Sequence, residues 1–229
     1  EIKKMNFTYN GVEIEIPDNF LKHHAGVSIT GRIQNGTYEA HEYKMLHDII
    51  TEDSIVLELG GSVGVLACLT GKLMSDSNKL VVVEAHPNLV SVLEANRDRN
   101  NLEFKIHEGA AHYNNSEVSF KYNEYPLNGQ IFNQGGFGNT GTVTMKATTP
   151  MDLEEKYGLK FNVLNCDIEG SEYMLLDNLL DYFKNYDHLI VEFHTWGMYK
   201  GVNRETIERK YSEFFNVSRS DSVSRFSKK

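Results

Sequence analysis

The sequence predicts an α/β fold: a doubly wound, mostly parallel seven-stranded sheet with an antiparallel C-terminal edge and a small N-terminal β-hairpin. Three observations lead there. From Ser54 onward, short apolar runs alternate with segments of helical period, as expected of a parallel sheet covered by helices on both faces. The runs are rich in Val, Ile and Leu, which suits strands buried on both sides. A glycine-rich turn, Gly60-Gly61-Ser62-Val63-Gly64, links the first run to the helix after it.

Taken in order, the chain opens with Phe7 to Ile16, which alternates apolar and polar residues on both sides of Asn10-Gly11 and reads as a hairpin forming an accessory ribbon. From His23-His24 to Tyr38-Glu39 there is no clear period, and this segment is in a position to cover a site. Glu42 to Ile50 reads as a helix. The five core strands are expected at Ser54 to Leu59, Lys79 to Glu84, Glu103 to His107, Phe161 to Cys166 and His188 to Phe193. Pro87 suits the first turn of a helix running to Asn100, with Leu89, Val90, Val92 and Leu93 at helical spacing. Ser171 caps a second, with Tyr173, Met174, Leu175, Leu176, Leu179 and Leu180 on its apolar face. Between strands three and four, Asn123 to Thr149 reads as a long insertion, and Gly135, Gly136, Gly138 and Gly141 predict a mobile loop. Phe214 to Arg219 and Val223 to Phe226 pair around Ser220-Asp221-Ser222 to finish the sheet.

With 229 residues, 40% hydrophobic and 24% charged, the chain can bury a full core, and one domain over residues 1–229 is expected. Residues 1–50 would supply the hairpin and a lid-like segment, and 51–229 the core. The opening on Glu1 rather than Met leaves room for a longer polypeptide with a further partner domain. A net charge of −9 and a pI near 5.5 repel a phosphate backbone, so nucleic acid is not the expected substrate. Cys68 and Cys166 lie in apolar runs and read as reduced core thiols. Apolar runs fall far short of the roughly 20 residues of a membrane span, and no signal peptide is evident, so a cytoplasmic protein without membrane contact is expected.

The chemistry begins at the glycine turn. In open α/β sheets ligands bind at the carboxyl ends of the strands, so Gly60, Gly61 and Gly64 are expected to line a pocket. Glu84, at the end of the second strand, is placed to accept both ribose hydroxyls of an adenosine ligand. The dinucleotide pattern G-x-G-x-x-G fails: counted from Gly60 it meets Ser62 and Val65, and from Gly61 it meets Val63 and Leu66. Glu58 would repel a pyrophosphate but would receive the ammonium group of a bound amino acid, which S-adenosylmethionine (SAM) carries. The plainer alternative is that the glycines serve strand–helix packing and the two acids are solvated strand ends.

Asn165-Cys166-Asp167-Ile168-Glu169-Gly170-Ser171-Glu172, after Val163-Leu164, resembles the D-x-E-G-x-E signature of FkbM-type methyltransferases, and the likeness extends from Glu39 to His194. The resemblance implies the class I methyltransferase (Rossmann-like) sheet and methyl transfer from SAM to a hydroxyl, often on a sugar. It implies that Glu58 to Gly64, Ser62 included, together with Glu84, Ala85 and Asp167, hold the cofactor. It also implies that Glu108-Gly109-Ala110-Ala111 passes near the adenine, with Ala110 as the contact. The hairpin and the glycine-rich insertion lie outside the likeness, so the acceptor does not carry over.

Independently, a 3-2-1-4-5 strand order puts Asp167 beside the cofactor turn, and the two-residue strand period sets Glu192 and His194 on one side, near Asp167 and Glu169. Methyl transfer requires an aligned acceptor and a base for its proton. His194, with an ordinary pKa near 6.5, is the first candidate, ahead of Asp167 and Glu169; such bases contribute on the order of 10²–10⁴-fold. Glu172 reads instead as a first-turn acid facing the helix dipole. His23-His24 and His41-Glu42 read as exposed loop residues before acceptor contacts, and Tyr38-Glu39 is balanced between cofactor contact and packing. Tyr122, Tyr125, Phe132 and Phe137 could stack on sugar faces or simply pack. A divalent ion held by Asp167, Glu169, Glu192 and His194 is left open. Two other function classes remain: a catalytically inactive glycan- or partner-binding module, and a nicotinamide-dependent oxidoreductase that the missing second glycine disfavours.

Overall fold

A computed structural model describes residues 4–18, 29–122, 141–197 and 199–229. In chain order the elements are β1 (Lys4–Tyr9), β2 (Val12–Pro17), α1 (Ile29–Gln34), α2 (Ala40–Ile49), β3 (Val56–Leu59), α3 (Val65–Leu73), β4 (Leu80–Glu84), α4 (Pro87–Arg99) and β5 (Lys105–Glu108). There follow β6 (Glu117–Tyr122), β7 (Gly141–Lys146), α5 (Pro150–Tyr157), β8 (Val163–Cys166), α6 (Glu172–Asn178), α7 (Leu180–Phe183), β9 (His188–Glu192), α8 (Arg204–Tyr211), β10 (Phe215–Ser220) and β11 (Val223–Lys228).

The main sheet has seven strands in the order β10-β11-β9-β8-β3-β4-β5. All pairs from β5 to β9 are parallel, whereas β11 joins β9, and β10 joins β11, antiparallel. The expected α/β class and antiparallel edge are therefore found, with β11 inserted between β9 and β10. The chain leaves β3 toward β4 and β5 and then returns to β8 on the other side. That reversal opens a crevice at the carboxyl ends of β3 and β8.

Successive strand residues feed opposite faces. Val56, Leu80 and Val82 join one core with Leu46, Ile49, Leu69 and Leu93 from α2, α3 and α4. Leu57, Leu59, Val81 and Val83 join the other with Leu153, Leu175, Phe183 and Ile207 from α5 to α8. Double burial explains why these strands read as unbroken apolar runs. Cys68 and Cys166 are free and buried, as expected. Among the described residues no helix is long and apolar enough to cross a membrane.

The N-terminal hairpin forms at Asn10-Gly11, both at positive φ (46° and 82°), as a tight turn between twisted strands demands. It is more than an accessory ribbon. Val12, Ile14 and Ile16 are fully buried in the first core. Along the edge of β2, the Asn96 and Asn100 side chains of α4 accept from Glu15 N (2.8 Å) and Glu13 N (2.9 Å) and donate back to the same residues' carbonyls. Two asparagines thus satisfy strand groups that would otherwise stay open.

Three expectations change. The stripe from Tyr173 to Leu180 is broken at Leu179 (φ −113°) into α6 and α7, with Asn178 Nδ2 donating to Met174 O at 2.8 Å. Part of the expected loop from Asn123 to Thr149 is a strand: β7 pairs antiparallel with β6, and its Thr142-Val143-Thr144-Met145 alternation was the available signal. Residues 123–140 of that insertion, with Tyr125, Phe132 and Phe137, and also His23-His24, lie outside the described residues. Finally, α1 arises in the segment without a period.

Candidate active site

The glycine turn follows β3. Gly60 has φ +92°, and a Cβ there would lie 1.7 Å from Asp167 O, so the loop leaving β8 passes directly against its Cα. At Gly61 a Cβ would meet Val82 Cγ1 at 2.4 Å, and at Gly64 (φ +87°) Leu93 Cδ1 at 2.7 Å. These two glycines let α3, α4 and β4 pack closely. The plainer reading holds for them and fails for the acids, because Glu58 and Glu84 are both buried.

Glu84 reaches into the turn. Its Oε2 accepts from Ser62 N at 2.6 Å and its Oε1 from His86 N at 2.7 Å. Ser62 holds φ +48° in doing so. Burial outweighs these amide bonds and pushes the Glu84 carboxyl up to about 7. Each oxygen keeps a lone pair for a further donor. Glu58 is 1% exposed, its Oε2 lacks a hydrogen-bond partner among the described residues, and burial, with Glu39 nearby, raises its pKa well above the ordinary range. A group of this kind is suited to a cation that arrives with a ligand. Ala85 is half-buried beside Glu84, whereas Ala110 is buried against Val118 and Ala147 below the β6–β7 hairpin. Ala85 packs against the same small cluster.

The segment before β3 also enters. Tyr38 lies beside Ser62 and Asp167. Glu39 starts α2 in the left-handed region (φ 49°, ψ 30°), and burial, then the Glu42 charge, push it up to about 8. Glu42 was expected on an exposed loop; it is buried on α2, and burial together with Glu192 raises it to about 7. His41, its neighbour, is exposed, with Nδ1 2.7 Å from Ser220 Oγ.

On the far side of the crevice stand Asp167, Glu169, Glu172, Glu192 and His194. The loops after β8 and β9 meet glycine to glycine: a Cβ on Gly197 would lie 2.3 Å from Gly170 Cα. Glu172, at 0% exposure, fastens them together. Its Oε2 accepts from Gly170 N (2.8 Å), and its Oε1 from His194 N (2.8 Å) and His194 Nδ1 (3.1 Å). The expected first-turn acid is thus also a buried clamp, which a local reading of the helix start could not reveal.

That clamp turns His194 Nε2 toward Asp167 Oδ1 (3.6 Å) and Glu169 Oε2 (3.7 Å), with the Trp196 ring tilted against the imidazole at 4.8 Å between centroids. Burial opposes charge on the imidazole, but the hydrogen bond to Glu172 and the charges of Glu172, Glu169 and Asp167 raise it to about 10. In place of the ordinary value near 6.5 taken from the sequence, these surroundings favour the protonated ring in the empty site. Burial, then the Glu169 and Glu192 charges, hold Asp167 well above the carboxylate range; burial raises Glu169 to about 7 even though His194 pulls it down. Glu192 accepts from Ser222 Oγ at 2.8 Å. The structure therefore gathers Asp167, Glu169, Glu192 and His194 as their spacing suggests, and adds Glu42 and Glu172.

No family model matches the chain, and no curated protein matches it. Among solved structures it is similar to a SAM-dependent methyltransferase from Agrobacterium tumefaciens, with a TM-score of 0.55 and 10% identity over 99% of this chain and 71% of that one. It is also similar to the tRNA (uracil-54, C5)-methyltransferase of Pyrococcus abyssi in complex with S-adenosyl-L-homocysteine, with a TM-score of 0.53 and 9% identity. There the match covers 98% of this chain, which spans less than half (44%) of the other. At these identities the likeness shows the fold: this chain has the Rossmann-like sheet of methyltransferases.

Proposed function

We propose that the protein is a SAM-dependent methyltransferase that methylates a hydroxyl, of a sugar or glycan, in the crevice between β3, β8 and β9. The carrying observation is the pair of buried acids at the strand ends, Glu58 with an unpartnered oxygen and Glu84 hooked into the glycine turn, facing Asp167 across Gly60. Glu84 offers its remaining lone pairs to the ribose hydroxyls. Burial favours the neutral form of Glu58 and Glu39 in the empty site, and both would ionise against the ammonium and sulfonium of SAM, which suits a site rich in carboxylates.

The D-x-E-G-x-E motif supports the FkbM-type reading, and with it a hydroxyl acceptor. In the displacement the C–S bond breaks as the O–C bond forms, S-adenosylhomocysteine leaves as a neutral thioether, and the acceptor proton passes to a carboxylate of the Asp167–Glu169 pair. His194, held by Glu172, orients that pair and balances its charge. The net charge of −9 supports an acceptor other than nucleic acid.

Calorimetry with SAM on the folded chain tests the first step, and micromolar binding of one SAM per chain is expected. Absence of binding by correctly folded protein sinks the proposal. A labelled-methyl screen over a glycan and small-molecule panel then tests the acceptor class. Labelling confined to amines or nucleic acid would replace the hydroxyl reading while leaving the cofactor reading intact.

A further inference from the structure

We propose that Asp167, Glu192 and His194 form a divalent-cation site at the carboxyl ends of β8 and β9. One ligand atom from each lies within 4.8 Å of the others. Ligands about 2.0–2.3 Å from a single ion stand roughly 3–4.5 Å apart, so a small inward adjustment closes the shell. The 3.6 Å between His194 Nε2 and Asp167 Oδ1 is too long for a hydrogen bond and fits two ligands of one ion.

The second observation is how the donors are held. His194 is 8% exposed, its Nδ1 is engaged by the fully buried Glu172, and its Nε2 is turned toward carboxylates with which it makes no hydrogen bond among the described residues. A carboxylate that grips one imidazole nitrogen and leaves the other for an ion is the recurring support of metal-binding histidines. Asp167 Oδ1 is buried without a hydrogen-bond partner among the described residues, and Glu192 is fixed by Ser222 through Oε1 and by its contact with Glu42. Among the described residues no Lys or Arg forms an ion pair with Asp167, Glu169 or Glu192. An ion at this site would take the place of the Nε2 proton that otherwise balances these carboxylates, so its binding releases a proton.

Two carboxylates and an imidazole suit Mn²⁺ or Zn²⁺ better than Ca²⁺. The use of the ion rests on the methyl-transfer reading above: an acceptor hydroxyl bound to it would be fixed beside the methyl group and would lose its proton to Glu169 more readily. Binding of the ion does not rest on that reading.

The test is a titration of the chelator-treated full chain with Mn²⁺, following free Mn²⁺ by its paramagnetic resonance signal, with Zn²⁺ and Mg²⁺ as competitors. One Mn²⁺ per chain is expected, displaced by Zn²⁺. The near-isosteric Asp167→Asn and Glu192→Gln should each weaken binding at least tenfold, and Glu172→Gln roughly 10–100-fold through His194. Circular dichroism confirms that each variant is folded, and Glu84→Gln should leave Mn²⁺ binding unchanged. Absence of stoichiometric Mn²⁺ binding, or binding indifferent to Asp167→Asn and Glu192→Gln, overturns the proposal. SAM calorimetry on the same metal-free protein separates the two readings: SAM bound without Mn²⁺ leaves methyl transfer standing and removes the ion alone.

Discussion

The two walls of the crevice are built in different ways. The wall at β3 and β4 is made by backbone: Gly60 at positive φ, Ser62 in the left-handed region, and two amides that point at Glu84. The wall at β8 and β9 is made by side chains, with Glu172 bridging loops 22 residues apart to set His194 against Asp167 and Glu169. A backbone wall tolerates exchange of side chains but not of glycine. A side-chain wall keeps its shape only while each charge has its partner, because a buried charge stripped of its partner costs several kcal/mol.

Substitutions can separate the walls. Asp167→Asn is expected to lower methyl-transfer kcat by on the order of 10²–10⁴-fold with SAM affinity within a few-fold of the parent, measured by steady-state kinetics beside calorimetry. Retained turnover would exclude Asp167 from the reaction. Gly60→Ala should destabilise the fold by about 3 kcal/mol or more, since its Cβ would coincide with Asp167 O. Chemical denaturation reads this out, and a loss under 1 kcal/mol would mean that the β8 loop yields, against the view of a rigid backbone wall.

Glu172→Gln should cost about 2 kcal/mol of stability and lower kcat more than it raises KM. Equal changes in both would point to a general loss of structure instead of misplacement of His194. Glu84→Gln keeps the shape and should weaken SAM roughly 10–100-fold, with kcat at saturation nearly unchanged. A fall in kcat at constant affinity would move Glu84 from binding to chemistry.

The smallest effect is on pH. Burial first, against its amide bonds, raises Glu84 from 4.5 in the unfolded chain to about 7 in the fold. Its neutral form is favoured when folded, so its contribution to the stability of cofactor-free protein is fully present below about pH 4.5 and lost as pH rises through about 7. Melting temperature should fall across that window at constant ionic strength, and less steeply in Glu84→Gln. Parallel curves would show that Glu84 is already ionised in the fold.

Much of this was legible in the sequence because it is local. Asn10-Gly11 marks a hairpin by its own backbone preference, and the Val/Ile/Leu runs locate the core strands. The boundary at Leu179 was not legible, because the apolar stripe continues across it in sequence while the backbone breaks. The glycine turn was legible because its pattern is local, but only neighbouring Leu93, Val82 and Asp167 reveal that its glycines also clear space for packing.

By itself, then, the sequence determined the α/β order, the parallel core with its antiparallel edge, and the positions of Glu58, Glu84, Asp167, Glu169, Glu192 and His194 at strand ends, since periodicity and turn chemistry act over a few residues. Only the tertiary structure decided that Glu172 is a clamp, that Glu42 turns inward toward Glu192, that Asn96 and Asn100 complete the edge of β2, and that His194 is set between Glu172 on one side and Asp167 and Glu169 on the other. Each depends on burial and on the charge of groups distant in the chain, and neither quantity exists until the chain has folded.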